Sequence, residues 1–184
     1  MTLLYTGLRR GEILALQVKD IDFVKGYITV NKAVEFLCNS PNIKVPKTPK
    51  SIRMIPILDP LIPYLKNMTD GKNENDFVFT GYDGNLYTKS SIQRLFKAFN
   101  RDYNRYIGSL NNQADETVSF TMHQFRHTFC TMMYDAGVDV KTAQDILGHS
   151  SINVTLDIYT HLSREKKKIN IERMNAYIEQ YSLE

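Results

Sequence analysis

The apolar residues of this chain change period twice, at Asp20 and after Ile57, and that limits what it can build. Leu3, Leu4, Leu8, Ile13, Leu14 and Leu16 recur at helical spacing, so residues 1–16 read as helix. From Asp20 the pattern alternates instead. Ile21–Val24 and Tyr27–Val30 read as strands around a Lys25-Gly26 hairpin turn. Ile43–Val45 and Ile52–Ile55 read as a second strand pair, joined by a loop in which Pro46 and Pro49 forbid regular strand. After Ile57 helical spacing returns for the rest of the chain. The fold class that follows is mainly α with a small antiparallel β-sheet near the front.

Punctuation residues divide the helical part. Asp59-Pro60 opens a short helix through Leu65, and Phe77-Val78-Phe79 reads as a short strand before Gly81–Gly84. A basic amphipathic helix runs from Ser90 to about Tyr106, followed by a polar loop from Ile107 to Glu116. Thr121 caps a helix that runs to Ala136 and is closed by Gly137. Asp139 caps the next, which ends at Leu147-Gly148. Ser150 or Ser151 caps a third, holding Val154, Leu156 and Ile158, and a last helix runs from about Ser163 to Tyr181.

At 184 residues, 42% hydrophobic and 23% charged, the chain has the makings of one domain with a real core, which excludes a wholly disordered chain. Two cysteines, Cys38 and Cys130, are too few for a disulfide scaffold and are not clustered as zinc ligands. A reducing, cytoplasmic setting is the simple expectation. No stretch approaches the ~18 apolar residues of a membrane span, and the start lacks the basic region and cleavage site of a signal peptide. The net charge is only +3, but it is unevenly spread. Lys44, Lys47, Lys50 and Arg53 stand without an acid between Pro41 and Arg53. Lys89, Arg94, Lys97, Arg101 and Arg105 face only Asp102 in their segment, and a third basic run spans Arg164–Arg173. Each alone reads as a solvated face; three together fit a basic surface for a polyanion.

The chemistry-bearing residues begin with His123-Gln124-Phe125-Arg126-His127. His123 and Arg126 are i and i+3 on a helix, so one face offers an imidazole and a guanidinium fork, a pairing suited to phosphate. His123 and His127 have the spacing of the HExxH zinc motif, but Gln124 replaces its glutamate, and no metal site is expected. Cys130 lies three residues beyond His127, where an apolar helix interior accounts for it better than a thiol nucleophile does. Downstream stand Leu147-Gly148-His149-Ser150 and Thr155-Leu156-Asp157-Ile158-Tyr159-Thr160-His161; near the front stands Gly7-Leu8-Arg9-Arg10-Gly11-Glu12.

Taken in this order, the Thr6–Glu12 segment, the Lys47 hairpin, His123–Thr128, Leu147–His149 and Leu156–Tyr159 resemble the catalytic domain of tyrosine recombinases, the phage integrase family. The flavour is that of integrases of phages and integrative mobile elements. The resemblance implies site-specific DNA recombination and integration: a Tyr159 nucleophile attacks a scissile phosphate to leave a 3′-phosphotyrosine and a 5′-hydroxyl. Arg9 and Arg126 are implied to clamp the phosphate, His123 to move the tyrosine proton, His149 to donate a hydrogen bond to a phosphate oxygen, and Lys47 to protonate the leaving 5′-oxygen. Lys50 is the rival to Lys47. Arg9 is preferred to Arg10 because the family's catalytic arginine directly follows the Gly-Leu pair. Glu12 matches an acidic position that orients the arginine and histidine. Arg10, Lys50, Arg53, Lys89 and Arg94 are the expected DNA contacts. No metal, nucleotide or redox cofactor is needed. A DNA-binding remnant that cannot recombine and a type IB topoisomerase-like relaxing enzyme are the alternative readings.

The expected partners are double-stranded DNA, three further copies in a homo-tetramer on that DNA, and accessory DNA-bending or excision factors; no membrane is expected. The expected organisation is one catalytic domain over residues 1–184, without the family's N-terminal core-binding domain and opening helix, and with a tail helix over 163–184. That tail either packs into a neighbouring protomer or folds back on its own core. Without the core-binding domain, DNA binding is expected to be weak and strongly salt-dependent.

Overall fold

The computed structural model of the chain describes residues 1–45, 52–111 and 118–181. In chain order these form α1 (Thr2–Thr6), α2 (Arg10–Leu14), β1 (Ile21–Asp22), β2 (Tyr27–Val30), β3 (Ala33–Leu37), β4 (Ser40–Lys44), β5 (Arg53–Pro56), α3 (Ile62–Thr69), α4 (Lys89–Asn111), α5 (Met122–Asp135), α6 (Val140–Leu147) and α7 (Ile152–Tyr181). The class is mainly α with small antiparallel sheets, as the periodicity predicts. The chain divides into two compact units, Met1–Phe129 and Cys130–Glu184, with the division inside α5.

In the first unit the expected continuous helix over residues 1–16 is broken. Gly7 adopts φ 60° and its N–H closes α1 on the Leu3 carbonyl at 3.2 Å, while Arg9 is extended before α2. The apolar spacing ran through this break because both short helices bury their side of it, with Leu8, Leu14 and Leu16 in the core. At Gly11 the backbones of α2 and β3 nearly touch: a Cβ there would sit 2.4 Å from the Val34 carbonyl oxygen.

The expected hairpin across Lys25-Gly26 forms as β1 and β2, but the second expected strand pair does not. β2 lies between β1 and β5, with Ile28 opposite both Ile21 and Ile55 and all three buried. β4 pairs with β3, Val34 opposite Ile43, so the segments around Ile43 and Ile52 are not partners of one another. The reason lies in burial: β5 brings Ile55 into the core against Ile28, whereas most of β4 is exposed and suits a peripheral hairpin. Phe77–Phe79 forms only a bridge, Phe77 to Gln17, with Val78 N–H bonded to the Leu16 carbonyl at 2.8 Å. The β3–β4 tip reaches α4, where the Asn39 carbonyl accepts from Lys89 N–H and its side-chain oxygen from Ser90 N–H. That is an N-cap supplied from a distant turn.

α4 extends to Asn111, beyond the expected end near Tyr106. Two asparagines one turn apart use both ends of their amides on the chain leading into α5. Asn100 pairs with Phe120 N–H and C=O at 2.7 and 3.0 Å, and Asn104 with Val118 N–H and C=O at 2.8 Å each. Phe96, Phe99, Tyr103, Phe120 and Phe125 pack as one aromatic cluster beside this ladder. Thr121 and Gln124 then close a reciprocal capping box at the start of α5, at 3.3 and 2.6 Å.

In the second unit the expected caps are in place. Gly137 has φ 78°, Asp139 accepts from Lys141 and Thr142 N–H, and Gly148 has φ 66°. Ser151 accepts from Asn153 N–H at 3.2 Å and opens α7. The expected break before Ser163 is absent: α7 is one helix of 30 residues, because no glycine or proline interrupts it. Lys166 on α7 pairs with Asp135 at 2.8 Å and lies 4.5 Å from the Tyr134 ring centroid. Farther along, Ile171, Met174, Tyr177 and Ile178 are exposed.

Gly11→Ala drives a methyl into the β3 backbone and is expected to destabilise the fold by ~1–3 kcal/mol. Gly108→Ala, where a Cβ meets nothing within 4 Å, is expected to stabilise it by ~0.4–1 kcal/mol. Urea unfolding of both variants checks the pair.

Candidate active site

The first unit builds its chemistry around the turn at Gly7. Arg126 projects from α5 with only 4% of its surface exposed, and its Nη1 donates to the Gly7 carbonyl at 2.7 Å. Gly7 stands two residues before Arg9, so one hydrogen bond joins the neighbourhoods of two arginines far apart in sequence. The left-handed backbone at Gly7 ends α1 there and supplies the acceptor.

Arg9 is organised by Glu12, one turn into α2 and 8% exposed. Glu12 Oε2 accepts from Arg9 N–H at 2.7 Å and from Arg53 Nη2 at 2.7 Å; Oε1 accepts from Arg9 Nη1 at 2.9 Å and from Arg53 Nη1 at 2.8 Å. Burial alone would raise the Glu12 carboxyl. The Arg53 hydrogen bonds and charge, and then the Arg9 backbone N–H and charge, outweigh burial and hold it at about 2. Arg53 was expected on the DNA surface. Its side chain is 10% exposed and its fork is committed to Glu12, which takes it out of the surface cations. The arginine left with an outward reach is Arg9, 46% exposed.

His123 is exposed at the start of α5, a turn before Arg126. It lines a groove of about 640 Å³ whose other walls include Arg10, Lys97, Phe96 and Phe120. The Arg10 guanidinium stacks 5.3 Å from the Phe36 ring centroid. Gln124, in the glutamate position of the zinc motif, spends its amide on the helix cap. Lys89 and Arg94 are exposed on α4. Lys47 and Lys50 lie outside the described residues.

The second unit carries His149 and Tyr159. His149 follows the left-handed Gly148, and its Nδ1 lies 2.8 Å from the Thr155 hydroxyl, which is fully buried. Thr155 and Tyr159 are i and i+4 on α7, so one helical face holds the histidine and presents the tyrosine. The Tyr159 ring is 7% exposed and meets Tyr134 edge-on at 5.0 Å. Among the described residues its hydroxyl has no hydrogen-bond partner. Burial, then the neighbouring Cys130 and Asp139, push the phenol up to about 12. Cys130 itself is buried in the interior of α5. Three features were missed from sequence: the Gly7 carbonyl as partner of Arg126, the pairing of Arg53 with Glu12, and Thr155 as the anchor of His149. Only Thr155 left a signal, its spacing of four from Tyr159.

The architecture is that of tyrosine recombinase catalytic domains. The Tn1549 transposon integrase in complex with circular intermediate DNA superposes with a TM-score of 0.75 at 28% identity, over 94% of this chain and 57% of that one. The family model described as phage integrase family matches residues 1–166, and the chain belongs to that family. Similar proteins include a XerC-like tyrosine recombinase of Caldanaerobacter subterraneus subsp. tengcongensis, 34% identical over 92% of this chain and 46% of that protein. The ICEBs1 integrase of Bacillus subtilis is 29% identical over 92% of this chain and 46% of its own length. The chain spans about half the length of the curated relatives it matches.

A buried hydroxyl without a partner costs stability, so Tyr159→Phe is expected to stabilise the fold by ~1 kcal/mol. The raised phenol pKa adds a pH signature. Stability from the neutral phenol is complete below its unfolded pKa of ~10 and is lost as pH rises through the folded value of about 12. Chemical denaturation at pH 8 and pH 11 should show a steeper alkaline loss in the wild type than in Tyr159→Phe.

Proposed function

We propose that this chain is the catalytic domain of a site-specific recombinase of a mobile element, which cuts and rejoins double-stranded DNA through a 3′-phosphotyrosine. The observation that carries this reading is the Arg126–Gly7 hydrogen bond, which fixes a buried guanidinium beside the turn that leads into Arg9. Similarity to recombinases, one of them solved on DNA, supports it.

The Tyr159 oxygen attacks the scissile phosphorus, the bond to the 5′-oxygen breaks, and the phosphate is left on the phenol. Arg9 and Arg126 stabilise the charge that gathers on the non-bridging oxygens, where preorganised donors act most strongly. His123 accepts the phenolic proton and returns it on religation, Lys47 protonates the departing 5′-oxygen, and His149 donates to a phosphate oxygen. Glu12 orients Arg9. Arg10, Lys89 and Arg94 contact the DNA backbone. The phosphodiester energy is retained in the covalent intermediate, so neither ATP nor a metal-activated water enters the scheme. A phenol resting at about 12 needs cations around the bound phosphate to ionise it, which couples attack to DNA binding. The exposed Ile171, Met174, Tyr177 and Ile178 on α7 suit packing against a neighbouring protomer in a tetramer on DNA.

The test is covalent trapping. A randomised pool of nicked duplexes, from which the cleaved end diffuses away, should yield a protein–DNA adduct stable to denaturation. Tyr159→Phe should yield none. Arg126→Lys, which keeps the charge and loses the fork, should slow adduct formation by ~10²–10³-fold. No adduct from the wild type, or an undiminished one from Tyr159→Phe, would defeat the reading. Relaxation of plasmids irrespective of sequence would favour the topoisomerase-like alternative.

A further inference from the structure

We propose that Arg53 is a positioning residue for strand cleavage: its guanidinium fork locks the Glu12 carboxylate in the orientation that aims Arg9. The inference rests on the recombinase reading and adds to it a residue expected only to touch DNA.

The geometry separates this role from simple charge neutralisation. Each Glu12 oxygen accepts two bonds, one from Arg53 and one from Arg9. Arg53 uses both terminal nitrogens, at 2.8 and 2.7 Å, in a fork that fixes the plane of the carboxylate as well as its charge. Arg9 binds that plane twice, by its backbone N–H at the start of α2 and by Nη1. The carboxylate therefore transmits the position of Arg53 to both the backbone and the side chain of Arg9. Arg53 is itself held in β5, opposite Val30 in the three-stranded sheet. Arg9, half-exposed on a flexible stem, has a rotamer to lose without this brace. The charged groups facing Glu12 are Arg9 and Arg53; Asp20 and Lys32 line the adjoining crevice, paired to each other at 2.6 Å.

The experiment measures the rate of covalent adduct formation by the full chain between pH 5 and pH 8, for wild type, Arg53→Lys, Arg53→Gln, Glu12→Gln and the Arg53→Gln/Glu12→Gln double variant. Thermal unfolding of each is followed in parallel. Arg53→Lys keeps a buried cation and so carries the test if Arg53→Gln does not fold. The expected result is a rate lowered on the order of tenfold to a hundredfold in the folded variants, with Arg53→Lys between wild type and Arg53→Gln. The ratio of variant to wild-type rate should fall further toward acid pH in Arg53→Gln, because burial then raises the Glu12 carboxyl and protonation releases Arg9. Glu12→Gln should abolish that acid dependence in the double variant. A folded Arg53→Lys or Arg53→Gln protein that reacts at the wild-type rate with an unchanged pH ratio overturns the proposal alone. So does a rate loss that only follows the unfolded fraction. No adduct from the wild type overturns the recombinase reading and this proposal together.

Discussion

The buried Arg126 guanidinium needs acceptors, and the Gly7 carbonyl is one of them at 2.7 Å. A charged group taken out of water is costly unless its donors are met, and a charge-assisted hydrogen bond contributes ~1.5–3 kcal/mol. That requirement ties the start of α5 to the first turn of the chain. It also explains the short, broken entry: α1 stops at Gly7 because the left-handed backbone there halts the helix. The next residues, Leu8 and Arg9, split the remaining work, one buried in the core and the other turned toward Glu12.

The two units treat their charges in opposite ways. The first assembles a cluster of one carboxylate and two guanidinium groups around Glu12, leaving an excess of positive charge. The second keeps its phenol buried, neutral and without a hydrogen-bond partner among the described residues. At neutral pH such a phenol stays protonated. In the proposed reaction the cations gathered around a bound phosphate, not the phosphate's own negative charge, would favour ionising this phenol.

Much of this was legible in the sequence, and the gaps have physical causes. The caps at Thr121, Asp139 and Gly148 were readable because each depends on local backbone geometry. The alternation at Ile21, Ile28 and Ile55 marked core-facing strands, but strand partners are set by long-range burial, so Ile43 and Ile52 were wrongly paired and Ala33–Leu37 went unseen. The break at Gly7 was masked because Leu8 kept the helical spacing across it. Of the candidate site residues, Arg9, Arg126, His123, His149 and Tyr159 stood in recognisable motifs. Arg53 did not: a surface cation and a buried one look alike in sequence, and only the Glu12 contact tells them apart.

The central claim is that Arg9 and Arg126 act on the negative charge of one phosphate. The most direct measurement compares cleavage of two duplexes that differ only at the scissile linkage, a normal phosphate or an uncharged methylphosphonate, by wild type, Arg9→Ala and Arg126→Ala. The account predicts that each substitution costs much less on the uncharged linkage, since less charge is left to stabilise. An equal loss on both linkages would show that these arginines do not grip the reacting phosphate.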